Sequence, residues 1–334
     1  MKENPIILGI ETSCDETSAA VLCGDKLLGN VISSQIEIHR RFGGVVPEIA
    51  SRNHLTAILP VIDEALKSAG VQKTELDAIG VTYGAGLVGA LLVGVSAAKA
   101  LAYSLGIPLY AVNHIEAHIA ANYISTPELK PPFLAVVASG GHTGVCIVEG
   151  RNKFRMLTST TDDAIGEAFD KVARAVGLPY PGGPEIDRLA KTGAPCITFI
   201  ERKHKTQISY SGLKTAVINY LHTLEQRGVR PVIADVCASF QKTAVDMLAD
   251  SAAAAIKKSG IKTIVAAGGV SANSYLRERL KAVGEELGCN VYFPPMSLCT
   301  DNAAMVAVRA RDMIGECDPA TLALNAKSYL KIGD

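Results

Sequence analysis

Tryptophan is absent from the chain, and aromatic residues together make up only 5%. A site that grips sugars or quaternary amines by ring stacking is therefore not expected. Neither sign of charge is in excess, since 33 basic residues face 33 acidic ones. That excludes nucleic-acid binding through bulk charge, but leaves room for a local basic patch. Eight cysteines are present, yet none stands in a Cys-x-x-Cys pair. A chain of 334 residues with 48% apolar content can build a full core without covalent staples. Reduced thiols in a cytoplasmic protein are expected, not a disulfide framework or a zinc ribbon. Long hydrophobic runs are missing too. The longest, residues 84–98, is glycine-rich and ends at Lys99. It falls short of the ~18 residues of a membrane-span candidate, so no membrane association is expected. The opening MKENPIILGIETS turns polar without a small-residue cleavage site, so no signal peptide is expected.

What is present is alternation of strand and helix signals. Residues 6–11, 18–22 and 27–33 read as three strands, the last two joined by the turn Gly24-Asp25-Lys26. Residues 49–69 carry apolar positions at threes and fours, which predicts a helix with one buried face. A buried strand over 76–82 and a small-residue helix over 86–105 follow. The opening pattern then recurs: strand 133–138, a Ser-Gly-Gly loop, strand 145–148, the turn Gly150-Arg151-Asn152 and strand 154–159. The two copies are offset by about 127 residues, which points to a duplicated fold. Helices are expected over 164–176, 232–258 and 274–287, with a strand over 263–267. Residues 178–184 and 198–212 read as surface loops. The expectation is a two-lobed α/β protein with a ligand cleft between the lobes. The first lobe spans 1–130 and is completed by 303–330; the second spans 131–302.

Three glycine-bearing loops follow strands: Gly84-Ala85-Gly86, Ser139-Gly140-Gly141 and Gly268-Gly269. Glycine lets backbone amides approach a phosphate, and a following helix N-terminus adds partial positive charge. None matches a P-loop or a Rossmann fingerprint. Taken together they favour a nucleotide or acyl-adenylate over plain turns.

His114 and His118 are four residues apart, so both imidazoles can face one metal ion, or both can be surface or capping groups. Glu116 lies about 200° around the helix from His114 and is badly placed to activate a metal-bound water. That argues against a metalloprotease. Asp301 is a candidate third ligand, which spacing alone does not select. Glu11, Asp15 and Glu16 cluster in the first loop. Asp162 and Asp163 open a helix, as caps. Asp170 either pairs with Arg174 or meets a ligand, Asp187 follows a rigid Pro-Gly-Gly-Pro turn, and Asn273 either caps the next helix or reaches a ligand.

Nine motifs occur in order along nearly the whole chain. They are Ile10-Glu11-Thr12-Ser13-Cys14-Asp15-Glu16-Thr17, Gly43-Gly44-Val45-Val46-Pro47-Glu48, His114-x-Glu116-x-His118, Ser139-Gly140-Gly141-His142-Thr143, Gly166-Glu167-Ala168-Phe169-Asp170-Lys171, Tyr180-Pro181-Gly182-Gly183-Pro184, Ser211-Gly212-Leu213-Lys214-Thr215, Gly268-Gly269-Val270-Ser271-Ala272-Asn273 and Cys299-Thr300-Asp301-Asn302. This set resembles the TsaD family of bacterial tRNA N6-adenosine threonylcarbamoyltransferases, once described as O-sialoglycoprotein endopeptidases.

The resemblance implies an actin/Hsp70/sugar-kinase-like fold with two duplicated lobes. It implies transfer of threonylcarbamoyl from threonylcarbamoyl-adenylate to N6 of adenosine 37 in tRNAs reading ANN codons, with release of AMP. It implies a metal, iron(II) or zinc, on His114, His118 and Asp301. It places the adenylate against Val137, Ala138, Ser139, Gly140 and Gly141, then Asp170, Gly183, Asp187 and Asn273. Asp15 and Glu16 would lie near the reacting end, and TsaB and TsaE would be the protein partners. Two positions depart from the family pattern. Position 113 is Asn where a further histidine is frequent, and Ala85 stands where Gly-Pro-Gly is common. His39-Arg40-Arg41 and Arg202-Lys203-His204-Lys205 are candidate tRNA patches or solvated loop charge. The competing classes are a kinase or ATPase on the same fold and, further behind, the metalloprotease.

Overall fold

A computed structural model describes residues 2–202 and 206–333. The chain divides into two compact units. The first comprises Met1–Pro131, Glu149–Arg155 and Pro294–Asp334; the second comprises Pro132–Val148 and Met156–Phe293.

The first unit opens with β1 (Ile6–Glu11), β2 (Glu16–Cys23) and β3 (Lys26–Ser34). Then come α1 (Ile36–Arg40), α2 (Pro47–Ala69), β4 (Ala78–Gly84), α3 (Val88–Leu105), β5 (Leu109–Asn113), α4 (His114–Ala120) and α5 (Asn122–Ser125). The second unit carries β6 (Phe133–Ala138), β7 (Thr143–Gly150), β8 (Lys153–Ser159), α6 (Ile165–Ala175), α7 (Gly182–Ala190), α8 (Ser211–Gln226), α9 (Ile233–Ser259), β9 (Thr263–Ala267), α10 (Ser274–Leu287) and β10 (Asn290–Tyr292). The chain then returns to the first unit with α11 (Ala303–Met313).

Each unit is built on a five-stranded sheet, ordered β3-β2-β1-β4-β5 in one and β8-β7-β6-β9-β10 in the other. The orders are equivalent. In each, the first strand of the unit pairs antiparallel with its successor and parallel with the strand that follows the helical crossover. This is the duplication read from the recurring strand-turn-strand pattern. α2 begins on Pro47, whose missing N–H costs nothing at a helix start, and turns Ile58, Ile62, Ala65 and Leu66 into the core. α3 is long and apolar enough to cross a membrane by length and composition. Its Val95, Ala98 and Ala102 face is instead part of the first unit's core. All eight cysteines are free thiols.

α11 is covered over almost its whole length, with Ala303 through Ala310 buried. It lies directly on β1 and β4 because the strands offer no side chain there. A Cβ on Gly9 would come within 2.3 Å of the Ala303 carbonyl, and one on Gly80 within 2.5 Å of the Ala310 methyl. The returning segment begins at Pro294, earlier than residue 303, because Leu298 packs with Ala20, Ala303 and Ala304. Residues 149–155 group with the same unit through Arg151 and Asn152, which bind the Asp312 carboxylate and carbonyl at 2.7 and 2.6 Å.

Candidate metal centre and glycine loops

α4 starts where β5 ends. Asn113, the last residue of β5, accepts the Ile115 amide through its side chain at 2.9 Å and so caps the helix. Its side-chain nitrogen donates to the Lys331 carbonyl at 2.7 Å. The asparagine at this position therefore has a definite structural task, one that reading it as a missing histidine did not reveal.

From the capped helix, His114 and His118 project side by side, with ring centroids 4.6 Å apart. Both are buried. Asp301 Oδ1 stands 3.1 Å from His118 Nε2 and 3.5 Å from His114 Nε2. The three residues offer one ligand atom each, all within 4.8 Å of one another. Burial favours a neutral His114, but the charges of Asp301 and Glu11 outweigh it and hold the imidazolium up to about 9. Burial likewise opposes ionisation of Asp301, yet His114, with hydrogen bonds from His118 and Ser13, lowers it to about 2. Two imidazoles and one carboxylate form a donor set suited to zinc or iron(II) and too poor in oxygen for calcium. His118 Nδ1 is buried without a hydrogen-bond partner, so only its Nε2 is engaged, on the Asp301 side. The residues present fit a metal ion.

Glu116, between the two histidines, faces elsewhere. Its Oε2 pairs with Arg309 at 2.8 Å, and its Oε1 accepts the Gly333 amide at 2.9 Å. It is fully committed to structure, which removes the one carboxylate a zincin mechanism would need.

The first loop supplies Asp15 and Glu16, both buried. Burial, reinforced by the negative charges of Asp15 and Asp301, pushes the Glu16 carboxyl up to about 10, so it is protonated at neutral pH. Its Oε1 accepts from the Ser34 hydroxyl at 3.0 Å. The loop residue Ser13, not singled out from the sequence, has its hydroxyl 3.2 Å from His114 Nδ1.

In the second unit, Val137 and Ala138 end β6 and Ser139 to Gly141 follow it, Asn273 follows the turn after β9, Asp170 lies on α6, and Gly183 and Asp187 lie on α7. Val137 pairs with Ala267 across these parallel strands. Gly268, at φ +91°, carries the chain over so closely that a Cβ would meet the Ala138 carbonyl at 2.5 Å. The Gly166 amide, in the first turn of α6, donates to the Ser139 carbonyl. Asp170 Oδ1 accepts the Gly182 amide at 2.7 Å, tying α6 to the start of α7. Asp187 accepts the Ser274 hydroxyl at 2.7 Å, tying α7 to α10. Asn273 caps α10 through the Leu276 amide and donates to Gln241. The carboxyl ends of parallel strands, beside helix N-termini, are where open α/β sheets hold ligands.

Other sequence readings need correction. A Cβ on Gly140, Gly141, Gly183 or Gly269 would meet nothing within 4 Å, so these backbones border open space. The loop Gly84-Ala85-Gly86 is different. It is filled by protein, Gly84 against the Lys327 carbonyl and Gly86 against Ser13, and is not an open phosphate cradle. Asp162 and Asp163 do not cap the helix that follows them. Asp162 accepts the Tyr210 and Ser211 amides at the start of α8, and Asp163 pairs with Lys214 at 2.7 Å. His39 is fully buried, so the patch His39-Arg40-Arg41 reduces to its arginines, and Arg40 pairs with Glu37. Arg202 pairs with Asp250, while positions 203–205 lie outside the described residues.

Comparison with known proteins gives a consistent result. A family model described as TsaD, tRNA N6-adenosine threonylcarbamoyltransferase, matches residues 26–308. A Clostridium perfringens protein of that name is 53% identical over 337 residues, covering 99% of both chains. One from Moorella thermoacetica is 51% identical, covering 96% of this chain and 95% of its own. Among solved structures, full-length HypF in a phosphate- and nucleotide-bound form superposes with a TM-score of 0.63 at 17% identity, covering 96% of this chain and 48% of HypF. The ROK hexokinase from Thermus thermophilus gives 0.51 at 16% identity, covering 93% of this chain and 99% of its own. At such identities these structures show the fold alone, which is of the actin/Hsp70/sugar-kinase type. The match over nearly the full length to relatives of one name places the chain in the family of tRNA N6-adenosine threonylcarbamoyltransferases, and it is a transferase.

Proposed function

We propose that this enzyme transfers the threonylcarbamoyl group from threonylcarbamoyl-adenylate to N6 of adenosine 37 in tRNAs reading ANN codons, releasing AMP in the cytoplasm. The observation that carries the metal-dependent form of this reading is the convergence of His114 Nε2 and His118 Nε2 on one oxygen of Asp301. A divalent ion held there, iron(II) or zinc, supplies Lewis acidity and a binding point for the threonyl carboxylate or hydroxyl.

The adenine amine is a poor nucleophile, but the donor is a mixed carbamic–phosphoric anhydride and is already activated. The new N–C bond forms as the C–O bond to phosphate breaks, and the electron pair leaves with AMP. The protein's main tasks are positioning and charge stabilisation. Open backbones at Gly140, Gly141 and Gly269, with the start of α7 at Gly183, suit the adenylate phosphate. One proton must leave N6. Glu16, protonated at neutral pH, can donate a hydrogen bond but cannot accept that proton, so in this proposal Asp15 is the candidate base. Single-stranded anticodon loops are recognised by shape and local basic groups, for which the exposed Arg41 is a candidate. TsaB and TsaE complete the assembly in this proposal.

The test is a transfer assay with the enzyme, TsaB and TsaE, threonylcarbamoyl-adenylate and a tRNA bearing A37, read by nucleoside digestion and mass spectrometry. Modified adenosine that disappears in His114→Ala supports both transfer and metal site. AMP release that does not require tRNA, with no modified adenosine, would mean hydrolysis of the donor and refute the proposal; ATP turnover in a parallel assay would favour a kinase or ATPase.

A further inference from the structure

Glu11 is the one carboxylate of the first-loop motif left without a role in the reaction. It closes β1, is 0% exposed, and uses both oxygens inside the protein. Oε1 accepts the Ser13 amide at 2.5 Å. Oε2 accepts the Thr82 hydroxyl at 2.6 Å and lies 3.2 Å from His114 Nδ1. It stands behind His114, on the ring nitrogen opposite the one that faces Asp301, and outside the His114, His118 and Asp301 ligand cluster.

Chemistry fixes what this contact must be. An ionised carboxylate only accepts, so His114 must carry its proton on Nδ1 and donate it to Glu11. Nε2 is then the nitrogen that gives up its proton to a metal ion, on the side where Asp301 and His118 Nε2 meet. Such a carboxylate behind a ligating histidine fixes both tautomer and ring orientation. Ser13 extends the arrangement, because the same carboxylate holds its amide and its hydroxyl also reaches His114 Nδ1. His118 has no equivalent, its Nδ1 being buried without a partner.

We propose that Glu11 is the positioning residue of the metal centre, locking His114 in the Nδ1–H tautomer so that Nε2 faces the ion. This rests on the metal reading of His114, His118 and Asp301. Glu11→Gln is the informative variant. It keeps the size, and one oxygen for the Ser13 amide, while turning an amide donor toward His114. Nδ1 must then accept, and the proton moves to Nε2, where it obstructs the ion.

The experiment uses the full chain with histidine labelled in nitrogen-15. Long-range proton–nitrogen spectra of the zinc-loaded protein read which ring nitrogen keeps its proton, and cobalt(II) and zinc affinities are measured by competition with a chromophoric chelator. Expected are Nδ1–H at His114 in the wild type, inversion in Glu11→Gln, and affinity lower by about 10- to 100-fold. A zinc-loaded wild-type spectrum with the His114 proton on Nε2 overturns the proposal without needing any variant to fold. So does an affinity within twofold of wild type in a folded Glu11→Gln protein whose tautomer is unchanged. His118→Ala and Asp301→Ala run alongside. If both bind metal as tightly as wild type, the metal reading itself falls and takes this inference with it. If they lose the metal and Glu11→Gln does not, only the role of Glu11 is refuted.

Discussion

Replacing Glu116 by Gln will loosen the helix that carries His114 and His118 without touching either histidine or Asp301. Glu116 and Arg309 form a buried ion pair at 2.8 Å, each with a side chain only 6% exposed. Removing one partner of such a pair leaves the other charge uncompensated and typically costs about 3–5 kcal/mol. Two features limit the loss here. Gln keeps an oxygen for the Gly333 amide, and Arg309 keeps its hydrogen bond to Asn152 and its place over the Phe154 ring. The lower end, about 3 kcal/mol, is therefore expected. Two units in one chain need not unfold together, so a whole-molecule melt is a poor measure. Hydrogen exchange of peptides covering α4, followed by mass spectrometry, reads the right element. At 1.4 kcal/mol per decade, about 3 kcal/mol corresponds to roughly 150-fold faster exchange by opening. Glu116→Gln/Arg309→Met should recover most of the protection, since a buried pair replaced by uncharged groups is often neutral. An increase below about fivefold in the single variant would refute the reasoning, because Arg309 left without its carboxylate would then cost the helix little.

Gly9→Ala should unfold or severely destabilise the first unit, by several kcal/mol, because the new methyl collides with the backbone of α11; a urea midpoint unchanged from wild type would contradict this. Asp162→Ala removes a cap supplied from far along the chain and should cost α8 about 1–2 kcal/mol, read as roughly tenfold faster exchange over residues 211–226. His54 has its pKa lowered, chiefly by burial. The unfolded chain therefore takes up the proton first, and the stability His54 contributes is intact above about pH 6.5 and declines as pH falls toward its folded value. Urea titrations at pH 7.5 and 5.5 should show a smaller pH penalty in His54→Gln than in wild type. Asp15→Ala should reduce turnover far more than adenylate binding, and equal losses in single-turnover and binding assays would remove it as the base.

The duplicated sheet was legible because its signal is local. The strand-turn-strand patterns near 6–33 and 133–159 carry their own turns, and the β-order repeats accordingly. The histidine pair was legible for the same reason, being four residues apart on one helix. What escaped reading depends on distant partners. α11 contains Arg309 and Asp312, which look like surface residues until Glu116 and Arg151 are found beside them. α8 buries few side chains and takes its cap from Asp162, so nothing within 198–212 announces its start. β10 has only three residues, too few for a pattern to show. Gly84-Ala85-Gly86 resembled a phosphate loop because glycine for close packing and glycine for ligand approach look alike in sequence. Only Lys327 and Ser13, resting against it, tell them apart.

The segment after α11 has neither helix nor strand among its described residues, yet it binds the first unit along its course. The Lys327 amide donates to the Tyr83 carbonyl, the Ser328 carbonyl accepts the Gly86 amide, Lys331 takes the Asn113 cap, and Gly333 meets Glu116. These contacts impose an order of events during synthesis. His114 and His118 leave the ribosome long before Asp301 exists, and the bonds that steady their helix come later still. A nascent chain therefore carries two exposed imidazoles with neither the third donor nor the final fastening. On the proposed metal reading, the three-donor set of His114, His118 and Asp301 is complete only once translation has passed residue 301.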